Sequence, residues 1–170
     1  MNSPLADQSS SVLAKAIGYA TRLLSSREYS VKQLNQKLKA RGLDDEQVQS
    51  TLKYLILEGW QSDIRFCESF IRSKANNGQG IQRIRFELAQ HGITEELLEK
   101  ALNEVEVDWQ TICDRLARKK NNQIKESDSF KRSSKLERFL LYRGFEREQI
   151  RRSINRLREV GESSGDNDQQ

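Results

Sequence analysis

Proline and histidine each occur once in these 170 residues, as Pro4 and His91, and aromatic residues make up only 7% of the chain. With no proline beyond position 4, nothing of that kind breaks a helix from within. The two cysteines, Cys67 and Cys113, stand far outside any CxxC or zinc spacing. Each lies among apolar helical neighbours, so both read as ordinary buried thiols. No apolar run approaches the roughly 18 residues that span a bilayer. The opening MNSPLADQSSS lacks the basic patch and apolar core of a secretory signal. The expected location is cytoplasmic, with no membrane partner.

Enzyme chemistry is equally scarce. The only histidine fills a slot that holds Arg41 and Arg143 elsewhere in the chain, which predicts a cation at a helix C-terminus rather than a catalytic base. GQGIQR contains Gly78 and Gly80, but Arg83 stands where a dinucleotide-binding GxGxxG needs its last glycine, and no strand precedes it. Acid pairs such as Asp44 with Asp45 fall at helix starts and are explained by capping. The sequence predicts no catalytic residue, no metal site and no cofactor.

What the chain does contain is a phrase written three times. RGLDDEQV, HGITEELL and RGFEREQI align on Gly42, Gly92 and Gly144, which stand 50 and 52 residues apart, the mark of a repeat architecture. Eight and four residues before each glycine stand Leu34 and Leu38, Ile84 and Leu88, Leu136 and Leu140, a step that puts each pair on one helical face. One, six and ten residues after it come Leu43, Val48 and Leu52, then Ile93, Leu98 and Leu102, then Phe145, Ile150 and Ile154. Each phrase reads as a helix stop at a left-handed glycine, a short turn and a new helix start. Asp44 and Thr94 are the expected caps, and Glu146 is a poorer one.

A helix fits before each pair, at about Leu13 to Leu24, from Ser62 or Asp63 to about Ala75, and at about Val107 to Lys119. Ser30 with Gln33 forms a capping box in the first copy. The expected fold is all-α, an elongated, curved array of three tandem three-helix repeats. The repeats take residues 11–58, 59–106 and 107–160, between flexible tails at 1–10 and 161–170. NNGQG (Asn76 to Gly80) and the stretch from Lys120 to Ser134 read as exposed, mobile loops. Trp60, Trp109, Phe66, Phe70, Phe139 and Tyr142 fall on apolar stripes and are expected in the core.

Charge is uneven. Residues 109–160 carry 15 basic against 7 acidic groups, a net +8 on a chain whose total is +4. Arg115, Arg118, Lys119 and Lys120 end one helix, Lys131, Arg132, Lys135, Arg138 and Arg143 follow, and Arg147, Arg151 and Arg152 open the last helix. Such stripes are candidates for phosphate or acidic-surface contact. The slot three after the glycine changes sign, from Asp45 and Glu95 to Arg147, which singles out the third copy.

ATRLLSSREYSVKQLNQKLKARGL, RFCESFIRSKANNGQGIQRIRFELAQHGI, DWQTICDRLARKK and KLERFLLYRGFEREQI together resemble the RecX family, regulators of the bacterial recombinase RecA, over about Ala14 to Leu157. The resemblance implies a non-catalytic protein of recombination, repair and the SOS response. Such a protein binds the RecA filament on single-stranded DNA in its helical groove, lowering filament extension, ATP hydrolysis and strand exchange. It implies non-specific contact with the DNA backbone and a monomeric chain. Where family members commonly read RKGKGPRRI, this chain has NNGQGIQRI, so Asn76, Asn77, Gln79 and Gln82 replace basic residues. Arg65, Arg72, Arg83 and Arg85 match the family pattern, and with Lys74 they are the middle-repeat candidates. The alternatives are a RecA-independent DNA-binding module of helix-turn-helix type, and a helical adaptor whose basic residues serve solubility.

Overall fold

A computed structural model describes the backbone of residues 4–165 and the side chains of 11–159. The expected tails, 1–10 and 161–170, lie wholly or in their side chains outside the described residues. The helices are α1 (Pro4–Leu24), α2 (Val31–Lys39), α3 (Asp45–Leu57), α4 (Asp63–Asn76), α5 (Ile81–Gln90), α6 (Glu95–Glu104), α7 (Trp109–Asn121), α8 (Ser129–Arg143) and α9 (Arg147–Gly165). No strand occurs among the described residues. The fold is the expected all-α tandem repeat.

The three glycine turns share one geometry. Gly42, Gly92 and Gly144 have φ of 83°, 82° and 89°, the left-handed region that glycine enters without a Cβ penalty. In each, the amide after the glycine donates back to the helix it leaves: Leu43 to Leu38 O, Ile93 to Leu88 O and Phe145 to Leu140 O, at 3.5, 3.1 and 3.2 Å. These bonds satisfy carbonyls that a helix end otherwise strands. The following helices start as the sequence predicts. The Asp44 carboxylate accepts from the Gln47 amide at 2.8 Å and Thr94 Oγ1 from the Leu97 amide at 3.3 Å. Glu146 occupies the third cap position, where its own amide donates to Gln149 Oε1 at 3.0 Å.

Several boundaries differ from expectation. α1 begins at Pro4 rather than near Leu13. Ser62 accepts from the Arg65 amide at 3.4 Å at the start of α4, while the Asp63 carboxylate turns instead to the Val31 amide and Gln61 Nε2, at 2.9 and 2.7 Å. α8 starts at Ser129, well inside the segment expected as a loop, because the Asp128 carboxylate caps it by accepting from the Lys131 amide at 2.9 Å.

The chain forms two compact units, one taking in the chain up to Phe70 with Leu88–Glu104, the other Ile71–Glu87 with the chain from Val105. The first has a core of Ala16, Ala20, Tyr29, Leu34, Leu38, Val48, Leu52 and Leu55. Cys113, Ala117, Ile124, Leu136, Leu140, Phe145 and Ile150 form a core in the second. Burying each leucine or isoleucine stabilises the fold by roughly 1.5–3 kcal/mol, so the repeated apolar slots carry much of each unit. His91 directly follows α5, as its slot in the repeat predicts. Its ring meets Phe66 and Phe70 edge-on at 5.6 and 5.4 Å, and Nδ1 faces Gln33 Nε2 at 3.3 Å.

NNGQG is exposed at Asn76 and Asn77, as expected, but it is not a free loop. Gly78 and Gly80 are buried, the Gly80 amide donates to Arg143 O at 2.8 Å, and the Gln82 amide donates to Gly144 O at 3.0 Å. The segment is docked on the third glycine turn. Two aromatic assignments also fail: Trp60 and Tyr142 are 49% and 74% exposed, whereas Phe66 is buried as expected.

Candidate anion-binding face

The cations singled out in the sequence fall into two groups, those already engaged by the fold and those left open. Arg147, Arg151 and Arg152, at the start of α9, are exposed but not unopposed. Arg151 and Arg152 reach Glu148 at 2.7 and 3.0 Å, and Arg147 lies 3.9 Å from Glu137. Hydrogen bonding from Arg151, opposed by burial and helped by Arg152, holds the Glu148 carboxyl below the usual glutamate range. The sign change at Arg147 therefore marks a helix start that carries its own counter-charge.

The middle-repeat cations are bound more deeply into the fold. Arg65 Nε donates to Glu28 at 2.9 Å and its Nη2 donates to the carbonyls of Gly59 and Trp60 at 3.0 and 2.8 Å. Arg83 donates to Glu87 at 3.1 Å, and Lys74 and Gln79 Nε2 converge on the same carboxylate. Partial burial pushes the Glu87 carboxyl up, but the hydrogen bonds from Lys74 and Arg83 outweigh it and leave it below its ordinary value. Arg72 is exposed on α4 and Arg85 half-buried on α5, and both also interact within the protein. Arg65, Lys74 and Arg83 thus tie separate segments together.

In the third repeat the engagement is partial. Arg132 donates to Ile124 O at 3.1 Å, Lys135 to Glu126 at 3.0 Å and Arg138 to its own helix at Ser134 O, 3.4 Å. Arg143 donates at 3.5 Å to Asn77 O and lies 5.4 Å from the centre of the Phe139 ring, with Lys120 5.2 Å from the same ring. Lys131 is exposed at the start of α8.

α7 is different. Arg115, Arg118 and Lys119 stand at i, i+3 and i+4, so they share one face, and all three are exposed. None of them has a carboxylate partner among the described residues. Asp114, the only acid in α7, lines the same concavity, but its carboxylate is engaged by other donors. It accepts from Ser153 Oγ and Gln110 Nε2 at 2.5 and 2.9 Å and pairs with Arg156. Burial pushes its carboxyl up, yet those donors together hold it below the usual aspartate range. A shallow concavity of about 420 Å³ follows this face, lined also by Thr111, Asp114 and Asn122.

The arrangement can hold anionic oxygens by charge and by hydrogen bonds from three cations and two neutral polar side chains. Arg118, Lys119 and Lys120 also complement the negative end of the α7 dipole. Sequence reasoning named these residues together with those of α8 and α9, and singled out the third copy through Arg147 without separating its helices. The signal against α9 was legible, since Glu148 stands three and four residues before Arg151 and Arg152. It placed Tyr142 in the core, whereas the ring is exposed with the Arg83 guanidinium 5.2 Å from its centre. No group of three or more His, Cys, Asp and Glu able to hold a metal occurs among the described residues.

Three family profiles match the chain, described as the first, second and third three-helix domains of RecX, over residues 16–55, 62–102 and 106–154. The chain is 40% identical over 136 residues to the regulatory protein RecX of Chromohalobacter salexigens, covering 79% of this chain and 88% of the relative. It is 40% identical over 140 residues to that of Legionella pneumophila strain Corby, covering 81% and 91%. A crystal structure of a regulatory protein RecX superposes with a TM-score of 0.79 at 24% identity, over 89% of this chain and 77% of that one. RecX from Lactobacillus salivarius does so with 0.77 at 23%, over 87% and 97%.

Proposed function

The chain belongs to the RecX family, and from that premise we propose that it is a non-catalytic negative regulator of RecA. It binds the RecA filament on single-stranded DNA in the filament groove and slows filament extension, ATP hydrolysis and strand exchange. RecA supplies the ATPase, so the regulator needs no nucleophile, base or cofactor of its own. It acts as a monomer in the cytoplasm, each three-helix repeat forming one segment of the bound surface.

The observation that carries this reading is the α7 face, where Arg115, Arg118 and Lys119 remain exposed and without a carboxylate partner while most neighbouring cations are engaged. Three such charges suit a phosphate backbone or an acidic protein surface, and contact of this kind is independent of base sequence. The alternative of a helix-turn-helix reading duplex by itself is weaker, because the helices after the first two turns open with acids and α9 is countered by Glu148. The test is the ATPase rate of RecA on single-stranded DNA as this protein is titrated in. A rate that falls steeply at substoichiometric to stoichiometric ratios supports the proposal; an unchanged rate at large excess refutes it.

A further inference from the structure

The first repeat carries a groove to which the proposed function assigns no residue. It runs between α1 and the α2–α3 turn, has a volume of about 490 Å³ and is lined by the half-buried Val12, Tyr19 and Leu43 above the buried Ala16 and Leu38. Lys15, Arg22 and Arg41 rim it, and no carboxylate lines it among the described residues. None of the three cations has an ion-pair partner there; Arg41 instead stacks over the Tyr19 ring, 3.9 Å from its centre.

Gly18 lines the same groove. It lies inside α1, where glycine costs about 1 kcal/mol against alanine. A Cβ there would meet nothing within 4 Å. The fold of this chain therefore gives no steric reason for the glycine, and the space beside it is open to another molecule.

We infer that this groove docks an acidic peptide segment of a partner protein, one that presents carboxylates to Lys15, Arg22 and Arg41 and seats a leucine-sized side chain over Ala16 beside Gly18. The charge complementarity is one-sided, since the groove offers cations and apolar surface and no acceptor-rich wall. A nucleic acid fits it less well. Its backbone would satisfy the cations, but the aliphatic Val12 and Leu43 offer bases no stacking partner, and Tyr19 is already covered by Arg41.

The experiment uses the full chain and a fluorescein-labelled ten-residue peptide of Asp and Glu with two leucines one helical turn apart, followed by anisotropy at low salt. Binding is expected in the tens of micromolar. It should weaken at least fivefold when both leucines become serine, and at least tenfold in Arg41→Glu and in Gly18→Leu, which fills the groove. Gly18→Ala, which leaves the groove open, should bind as the parent does, and circular dichroism should show each variant as helical as the parent. Removing the α7 charges (Arg115→Ala, Arg118→Ala, Lys119→Ala) should leave this binding unchanged. Absence of binding, equal binding of the serine peptide, or an unaffected Gly18→Leu overturns the inference. So does a dT20 oligonucleotide that competes with the peptide and loses affinity in the same two variants.

Discussion

Gly80 sits directly against Gly144: the Gly80 amide donates to the carbonyl just before Gly144, at Arg143, and a Cβ on Gly80 would collide with the Gly144 carbonyl itself. Two glycines that the sequence places in different repeats thus meet backbone to backbone.

Gly80→Ala should therefore destabilise the protein by about 1–3 kcal/mol, the usual cost of forcing extra volume into a packed site. The obstacle is main chain, which cannot swing aside as a side chain can. Urea unfolding of parent and variant, followed by circular dichroism, checks this, and an unchanged midpoint would mean that the turn yields freely.

Glu87 makes a prediction about pH. Lys74 and Arg83 hold its folded carboxyl below the value it has unfolded, despite the opposing effect of burial. Its contribution is then complete above the ordinary glutamate range and is lost as pH falls through the depressed folded value. Glu87→Gln should be less stable than the parent near neutrality by about 1 kcal/mol. The two urea midpoints should converge only as pH falls through that depressed folded value. A gap that persists at low pH would show that the loss is one of shape and not of charge.

The thiols should be inert in the folded state. Cys67 and Cys113 are fully buried, and burial, with Glu68 and Asp63 nearby, pushes the Cys67 thiol up to about 12. Burial also raises Cys113, against a hydrogen bond with Ser153. Titration with Ellman's reagent at pH 8 should register no fast-reacting thiol in native protein and two after guanidinium denaturation. Rapid native labelling would contradict the packing described.

Salt dependence separates the α7 charges from a general electrostatic attraction. If Lys119 contacts phosphate, Lys119→Ala should weaken binding to single-stranded DNA, alone or coated with RecA. It should also shallow the slope of log K against log salt by roughly 0.7. Fluorescence titrations at several salt concentrations measure that slope, and an unchanged value would remove Lys119 from the contact.

How much of this was legible in the sequence depends on the range of the forces involved. The three glycine turns and their apolar slots are set by interactions within a few residues, such as the bond from Leu43 back to Leu38, so spacing alone displays them. The packing of Asn76–Gly80 on Gly144 joins segments more than sixty residues apart, and a glycine-rich stretch carries no local mark to distinguish a docked turn from a free one. Tyr142 lies on an apolar stripe yet faces outward, because the stripe of α8 is wider than the surface it has to cover. The neutralisation of Arg151 and Arg152 was available at i, i+3 and i, i+4 from Glu148. The freedom of Arg115, Arg118 and Lys119 was not, since it depends on Asp114 turning toward Ser153 and Arg156.

The central claim, that the open cations of α7 carry the encounter with RecA and its DNA while those of α9 do not, is tested by two matched triple variants in the single-stranded-DNA-dependent ATPase of RecA. Arg115→Ala with Arg118→Ala and Lys119→Ala should raise the half-inhibitory concentration at least tenfold, about 1.4 kcal/mol. Arg147→Ala with Arg151→Ala and Arg152→Ala should raise it less than threefold. Equal effects, or a larger loss from the α9 set, would contradict the account.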